Sequence, residues 1–310
     1  MYDDKRTEAM KCLLKQIIRI VCITFLMLWI SKAEAAITRV FVSIAPQKYF
    51  VQKIGGDLVR VAVLVPAGSD PHTYEPKPKQ MAELSKCVVY FAIGIDFEKA
   101  WLPRISGTNP TMRIVHTDAG IKKITMTGHH HDTASTHGHS GTALSGHEKF
   151  PDTHIWLSPS LVKIQAGHIL RALIDIDPQN RLQYKTNYTA FLKEIDTLDA
   201  EMKNLFAHRK GNRFMAFHPS WGYFARDYGL EQISIEIEGK EPKPMQLKII
   251  IENARKEGIR VVFVQPQFSE RSAVMISREI KGKVVYVDPL AENWAENLRE
   301  IVREFVAAVR

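Results

Sequence analysis

Short apolar runs rich in β-branched residues alternate along this chain with amphipathic stretches, and the alternation occurs twice. The first half contains the runs ITRVFVSI, VRVAVLVP, CVVYFAIG and MRIVHTD, and the second half contains RFMAFHPS, LEQISIEI, IRVVFVQPQ and KVVYVDPL. Strands separated by short helical segments are typical of parallel α/β units. The sequence therefore predicts an α/β fold with two similar lobes, each built on a parallel sheet.

The segment 178–208 lies between the two halves and has a different character. It contains no glycine and no proline after Pro178, and its apolar residues recur mostly at steps of three and four. Pro178 suits the first turn of a helix, and Gly211 lies just past the end. Such a helix spans about 40 Å, so we predict a rigid strut between the lobes. The predicted boundaries are 36–177 for the first lobe, 178–208 for the linker helix and 209–310 for the second lobe.

Residues 1–35 have the pattern of a secretory signal peptide. Basic residues precede the apolar run IVCITFLMLWI, and the sequence AEA at 33–35 matches an A-x-A cleavage site. The apolar run is too short for a spanning helix. We therefore expect an exported, periplasmic protein, and we expect it to be a monomer.

Charge and cysteine content narrow the chemistry that the mature chain can perform. The formal charge is +8 at pH 7, but Lys and Arg are scattered among acidic residues, as in KEIDTLDAEMK, so nucleic-acid binding is not expected. Of the three cysteines, Cys12 and Cys22 lie in the predicted signal peptide, which leaves Cys87 alone. The mature chain can form no intrachain disulfide, and a metal site in it must use histidine and carboxylate ligands.

Four short motifs place a possible metal ligand beside a turn, at or near the end of a predicted strand: DPH, DTH, HP and DP. In open parallel sheets ligands bind at the carboxyl ends of the strands, where such side chains converge. Three imidazoles and one carboxylate suit Zn²⁺, with other divalent transition ions possible. His116 and His168 compete as ligands, and spacing alone does not decide between them and the four motif residues, His72, His154, His218 and Asp288.

Six of the twelve histidines lie in the stretch GHHHDTASTHGHSGTALSGH at 128–147. Its Gly, Ser and Thr residues cannot build a core, and ordering such a tract costs about 1 kcal/mol or more per residue. We interpret it as an auxiliary, weaker site that collects zinc near the main one, the alternative being a passive insertion. The auxiliary ligands predicted here are His129, His130, His131, His137, His139 and His147.

Five segments of the chain resemble a known protein family: DPHTYEPKPKQMAELSKCVVYFAIGIDFEKAW, DTHIWLSPSLVKIQAGHIL, FMAFHPSWGYFARDYGL, VVFVQPQFSERSA and VDPLAENW. The family they resemble is that of the periplasmic metal-binding receptors of zinc and manganese ABC transporters. The similarity covers nearly the whole mature chain in the same order. It implies a metal held in the cleft between two lobes by His72, His154, His218 and Asp288. Manganese members have a carboxylate in place of His218, so the resemblance implies zinc as the transported ion. It also implies a membrane permease and its ATPase as partners.

The competing functions are a manganese or broad divalent-metal receptor of the same family and, less expected, an exported zinc hydrolase with Asp288 as its base. Four protein ligands would leave no position for an activated water, and the chain contains neither H-E-x-x-H nor a nucleophile elbow. We therefore predict a binding protein and no enzyme. Ligating imidazoles need partners for their second nitrogen, for which the candidates are Asp70, Glu75 and Glu236. Trp156 and Trp221 are predicted to shield the site from water.

Overall fold

The computed structural model describes Gln16, Arg19 and residues 37–126, 151–237 and 239–308. The chain divides into two compact units, 1–37 and 38–310. The predicted signal peptide lies in the first unit and, apart from the helical residues Gln16 and Arg19, outside the described residues. The histidine-rich stretch 128–147 also lies outside them. Within the part of the chain that is described, no helix has both the length and the apolar composition that crossing a bilayer requires.

In the described part of the 38–310 unit, eight strands form two parallel four-stranded sheets, one in each half. All eight predicted strands are confirmed. The first sheet has the order β2-β1-β3-β4 and the second has the order β6-β5-β7-β8, so both follow the same winding pattern. The strands are β1 (Thr38–Val42), β2 (Val59–Val63), β3 (Val89–Ala92), β4 (Arg113–His116), β5 (Arg213–Ala216), β6 (Glu231–Ser234), β7 (Val261–Val264) and β8 (Lys283–Tyr286).

Helices connect the strands, and several begin with proline in the first turn, where its missing N–H leaves no hydrogen bond unmade. One of these starts at Pro159, where Ser158 caps the helix by accepting a hydrogen bond from the Leu161 N–H at 3.4 Å. Among residues 37–126, 151–237 and 239–308, the helices are α1 (Ala45–Gly55), α2 (Pro78–Leu84), α3 (Asp96–Thr108), α4 (Pro159–Ile176), α5 (Arg181–Phe206), α6 (Gly222–Tyr228), α7 (Pro244–Lys256), α8 (Arg271–Glu279) and α9 (Trp294–Ala308).

Helix α5 is the predicted connection between the lobes, and a short 3₁₀ turn at Pro178–Asn180 precedes it. Its buried face recurs at helical spacing through Tyr184, Phe191, Ile195, Leu198, Met202 and Phe206. This face packs against α4, α1 and α9, and Phe191 lies 5.9 Å from Phe50 between ring centroids. One apolar core therefore runs from the first sheet along α5 to the second. The exact lobe boundaries given above stay a prediction.

The carboxyl ends of the strands, together with the connections that follow them, provide the candidate site. In the second sheet a polar residue stands two positions after three of the four strands: His218 after β5, Glu236 after β6 and Asp288 after β8. Two glutamines follow β7, at Gln265 and Gln267. Because β5 lies between β6 and β7 in the sheet, His218 has Glu236 on one side and the glutamines on the other.

Candidate metal centre

Three histidines from different connections meet in one buried cluster. His72 lies in the turn after β2, His154 lies immediately before the 3₁₀ turn Ile155–Leu157, and His218 follows β5. Each offers a ring nitrogen, and these nitrogens all lie within 4.8 Å of one another. The Nε2 atoms of His154 and His218 are 3.3 Å apart. Two of the three histidines thus come from the first lobe and one from the second.

Each histidine has a carboxylate on the nitrogen that faces away from this cluster. The Nδ1 of His72 lies 3.2 Å from Asp96, that of His154 lies 2.8 Å from Asp152, and that of His218 lies 2.9 Å from Glu236. A hydrogen bond from Nδ1–H to a carboxylate leaves the Nε2 lone pair free for a cation and fixes the ring orientation. Of the three partners predicted for the second nitrogen, Glu236 is the one that contacts an Nδ1.

The backbone at each of the three histidines is held by a side chain close to it in sequence or on the neighbouring strand. Asp70 Oδ1 accepts from the His72 N–H at 2.9 Å, and Asp152 Oδ1 accepts from the His154 N–H at 2.8 Å. Both are turns in which an aspartate two residues upstream caps the histidine, so the sequences DPH and DTH share a local structure. The His218 N–H donates to Gln265 Oε1 at 3.0 Å.

Burial and neighbouring carboxylates shift the pKa values of His154 and His72 in opposite directions. Burial lowers the pKa of His154 to about 4, and the nearby Asp152 carboxylate opposes the shift without overcoming it. Burial acts in the same direction on His72, but its hydrogen bond to Asp96 and the charge of Asp70 raise its pKa above the ordinary value. The hydrogen bond from His72 in turn holds the pKa of Asp96 well below the usual range for a carboxyl group. Near neutral pH His154 is therefore an uncharged, metal-competent imidazole.

The free space at the cluster is small. The cavity lined by the three histidines has a volume of about 10 Å³, which is about the smallest that holds one water molecule. Its walls are mainly apolar or amide side chains, including Trp156, whose ring centroid lies 5.2 Å from that of His154, and Phe268, which stacks on His218 at 4.9 Å. A single ion fits this space and an organic ligand does not. Trp221, the other predicted shield, lies in the core against Phe224 and Phe263.

Asp288, the predicted fourth ligand, does not join the cluster. Its Oδ1 accepts from Gln267 Nε2 at 2.7 Å and from the Leu290 N–H at 2.9 Å. It follows β8, which is separated from β5 by β7 in the second sheet, and two strand spacings amount to about 10 Å. A ligand role for Asp288 stays a prediction, and the structure as it stands leaves its carboxylate outside the group of three.

The other candidates from the sequence lie elsewhere. His116 ends β4 with its side chain 56% exposed and its Nδ1 3.8 Å from Asp118. His168 lies on α4, where its Nε2 is 2.9 Å from the carbonyl oxygen of Ala119. Glu75 is exposed. The six histidines of the 128–147 stretch lie outside the described residues. Sequence reasoning missed Asp96, whose position as the first residue of α3 gave no sign of a partner in the turn after β2.

The protein has two lobes with matching parallel sheets, joined by a long helix. Three inward-facing imidazoles surround a space for one ion. This combination is that of a solute-binding protein for a metal ion. Residues 40–308 match the family described as ZnuA, zinc-uptake complex component A periplasmic. The chain belongs to this family, whose members are metal-binding receptors of ABC transporters and not enzymes.

Solved structures and curated relatives agree with this assignment. A crystal structure of ZnuA is 42% identical in sequence and has a TM-score of 0.79, covering 88% of this chain and 99% of that chain. A ZnuA deletion mutant with zinc bound is 43% identical with a TM-score of 0.77, covering 87% and 97%. A protein of Chlamydia muridarum is 30% identical over 268 residues, which cover 86% of this chain and 90% of the relative. Its name assigns metal binding only provisionally and specifies no ion.

Proposed function

We propose that this chain captures Zn²⁺ in the periplasm with His72, His154 and His218 and delivers it to the permease of an ABC transporter, which is powered by its ATPase. The observation that carries the proposal is the convergence of three ring nitrogens within 4.8 Å, each ring oriented by a carboxylate on its other nitrogen. The zinc-bound ZnuA deletion mutant, at 43% identity, supports the choice of ion.

The chemistry of the donors favours zinc over the alternatives. Neutral imidazole is a strong ligand for Zn²⁺, whereas Mn²⁺ prefers carboxylate and carbonyl oxygens. The cluster of three contains nitrogen donors only, and the carboxylates around it are engaged with Nδ1 atoms. The ligands are held by turns and strand ends, so little chain entropy is lost when the ion binds.

The test is metal binding by the chain lacking residues 1–35. We expect one tightly bound Zn²⁺ per chain, measured by competition with a chromogenic chelator, and at least tenfold weaker Mn²⁺ binding, because the donor set is nitrogen-rich. His218→Ala removes one of three ligands and is expected to weaken zinc binding by a hundredfold or more, on the order of 3 kcal/mol. His168→Ala is the matched control, since it removes an imidazole outside the cluster. Equal losses in both variants, or a preference for Mn²⁺, would contradict the proposal.

Delivery to the permease and the role of the histidine-rich stretch need separate tests. We expect a cell that lacks its own zinc receptor to regain growth at low zinc with the wild-type chain and not with His218→Ala. For the stretch 128–147, we propose collection of further zinc ions with weaker affinity. Deletion of 128–147 should therefore reduce the number of weakly bound ions and leave the tight site intact. Loss of the tight site in the deletion variant would refute this division of roles.

A further inference from the structure

Tyr223 lies on α6, the helix that follows β5 of the second sheet, and its hydroxyl reaches two segments that follow β4 of the first sheet. The hydroxyl donates to the carbonyl oxygen of Asp152 at 2.9 Å and accepts from the N–H of Ile124 at 3.1 Å. These segments are also paired with each other, because the Asp152 N–H donates to the Ile124 carbonyl oxygen at 2.7 Å. One buried oxygen atom therefore holds two backbone groups from the other half of the fold.

Tyr223 is itself held on the side of the second sheet. Its side chain is fully buried, and the guanidinium of Arg226 lies 5.0 Å from its ring centroid. The start of α6 is fixed, because the Trp221 N–H donates to Gln232 Oε1 at 2.6 Å. Tyr223 comes five residues after His218, so a short and anchored length of chain connects the hydroxyl to one histidine of the cluster.

A second short connection runs from the same hydroxyl to His154. The carbonyl that accepts from Tyr223 belongs to Asp152, whose Oδ1 accepts from both the N–H and the Nδ1 of His154, at 2.8 Å each. Helix α6 approaches Asp152 closely, since a Cβ added at Gly222 would lie 2.7 Å from Asp152 Oδ2. The backbone of Asp152 therefore decides where its carboxylate meets the imidazole of His154.

We propose that Tyr223 is a positioning residue that sets the spacing between His154 and His218, by holding the backbone of Asp152 from the opposite half of the fold. The inference rests on the proposed function, because it presumes that the histidines bind the ion. Tyr223 is not a ligand, since its hydroxyl is directed at backbone groups and other side chains line the cavity of the cluster.

The physical argument concerns the two backbone groups that the hydroxyl satisfies. A buried N–H or C=O without a partner is costly and therefore rare. Without the hydroxyl, the Asp152 carbonyl and the Ile124 N–H lose this partner, and the segment that carries Asp152 must shift to find another. Loss of a group in direct contact with a metal-bound imidazole weakens binding ten- to a hundredfold, so we expect about fivefold for Tyr223, which acts one contact further out.

The experiment measures Zn²⁺ affinity by chelator competition for Tyr223→Phe, alone and combined with Asp152→Asn. We expect Tyr223→Phe to weaken zinc binding about fivefold in the wild-type background. In the Asp152→Asn background it should weaken binding by less than about twofold, because the effect passes through the carboxylate that this variant lacks. General damage to the fold would give equal losses in both backgrounds.

Tyr228→Phe is the matched control. Tyr228 lies on the same helix, is 4% exposed, and its hydroxyl bonds Asp199 of α5 at 3.1 Å. Because that contact does not involve the cluster, Tyr228→Phe should bind zinc within about twofold of the wild type.

Hydrogen exchange provides a test that needs no substitution. An ion held by both His154 and His218 tightens the contact that joins the two halves. The amide of Ile124, followed by nuclear magnetic resonance in the wild type, should therefore exchange at least about threefold more slowly with zinc bound.

The outcomes separate the inference from the proposed function. If His218→Ala loses zinc while Tyr223→Phe binds it like the wild type, the inference alone is wrong. Equal effects of Tyr223→Phe in the two backgrounds, an equal loss in Tyr228→Phe, or exchange at Ile124 that zinc does not change would overturn it as well. If His218→Ala binds zinc like the wild type, the proposed function fails, and with it the basis of the inference.

Discussion

Asp152 offers the sharpest test of how the carboxylates support the histidine cluster. It is 1% exposed, and its Oδ1 accepts two hydrogen bonds of 2.8 Å, from the backbone N–H and from the Nδ1 of His154. Its own backbone is fixed as well, because its N–H donates to the Ile124 carbonyl and its carbonyl accepts from the Tyr223 hydroxyl. Replacing Asp152 by Asn removes the negative charge while the backbone contacts remain.

The expected magnitude follows from what Asp152 does for its neighbour. Loss of a partner that orients a metal-bound imidazole typically weakens metal binding ten- to a hundredfold, or about 1.4 to 2.8 kcal/mol. Asp96 has the same role at His72, but its side chain is 49% exposed, so solvent screens the charge. We therefore expect Asp152→Asn to weaken zinc binding by about ten- to a hundredfold and Asp96→Asn by less than about fivefold.

The assay is chelator competition on the metal-free proteins at neutral pH, together with chemical denaturation of the same samples. Denaturation without metal should show a loss of about 1 to 2 kcal/mol in the free energy of unfolding for Asp152→Asn. The reasoning would be refuted by zinc affinity within twofold of the wild type for Asp152→Asn, or by a larger loss for Asp96→Asn. Either result would mean that burial of the carboxylate does not govern its effect on the ligand.

Two further predictions concern Glu98 and Gly222. Burial raises the pKa of Glu98 from its ordinary value of 4.5 to about 7. Because the folded-state pKa is raised, the protonated carboxyl group stabilises the folded state fully below pH 4.5, and this stabilisation is lost as the pH rises to about 7. The free energy of unfolding of Glu98→Gln, measured in urea across that window, should therefore fall less with pH than that of the wild type, and an unchanged slope would contradict the assignment. At Gly222 an added Cβ would lie 2.7 Å from Asp152 Oδ2, so Gly222→Ala should displace that carboxylate and weaken zinc binding severalfold. Gly167→Ala, whose Cβ would meet nothing nearer than 3.8 Å, should bind zinc normally; equal affinity in both would argue against the close approach.

The fold could be predicted from the sequence because its strongest signals are local. Eight apolar runs marked the strands, and the proline at 178 and glycine at 211 marked the ends of the connecting helix. Apolar spacing alone does not identify every buried residue of α5. Leu182 is 79% exposed while Tyr184 is fully buried, because the Tyr184 hydroxyl donates to Asp177 and draws that ring inward. Such a contact depends on how the preceding turn folds, which apolar spacing does not encode.

The site was predicted in part for the same reason. His72, His154 and His218 stand next to turns that the sequence marks, and the structure brings them together. The ligand role of Asp288 stays a prediction, because the position of its carboxylate relative to the histidines depends on strand order, which is a property of the whole sheet and cannot be read from any one strand. Asp96 gave no local signal, since its partnership with His72 joins two separate connections of the first lobe.

The three histidines differ in how far they face solvent, and this gives the site a direction. The side chain of His72 is 18% exposed, that of His218 is 10% and that of His154 is 3%. His154 packs against Trp156 at 5.2 Å between ring centroids, and Trp156 is itself fixed, because its indole N–H donates to the Pro289 carbonyl and its carbonyl accepts from the Trp294 indole N–H. An ion held by these residues would exchange with solvent past His72, the most exposed of the three.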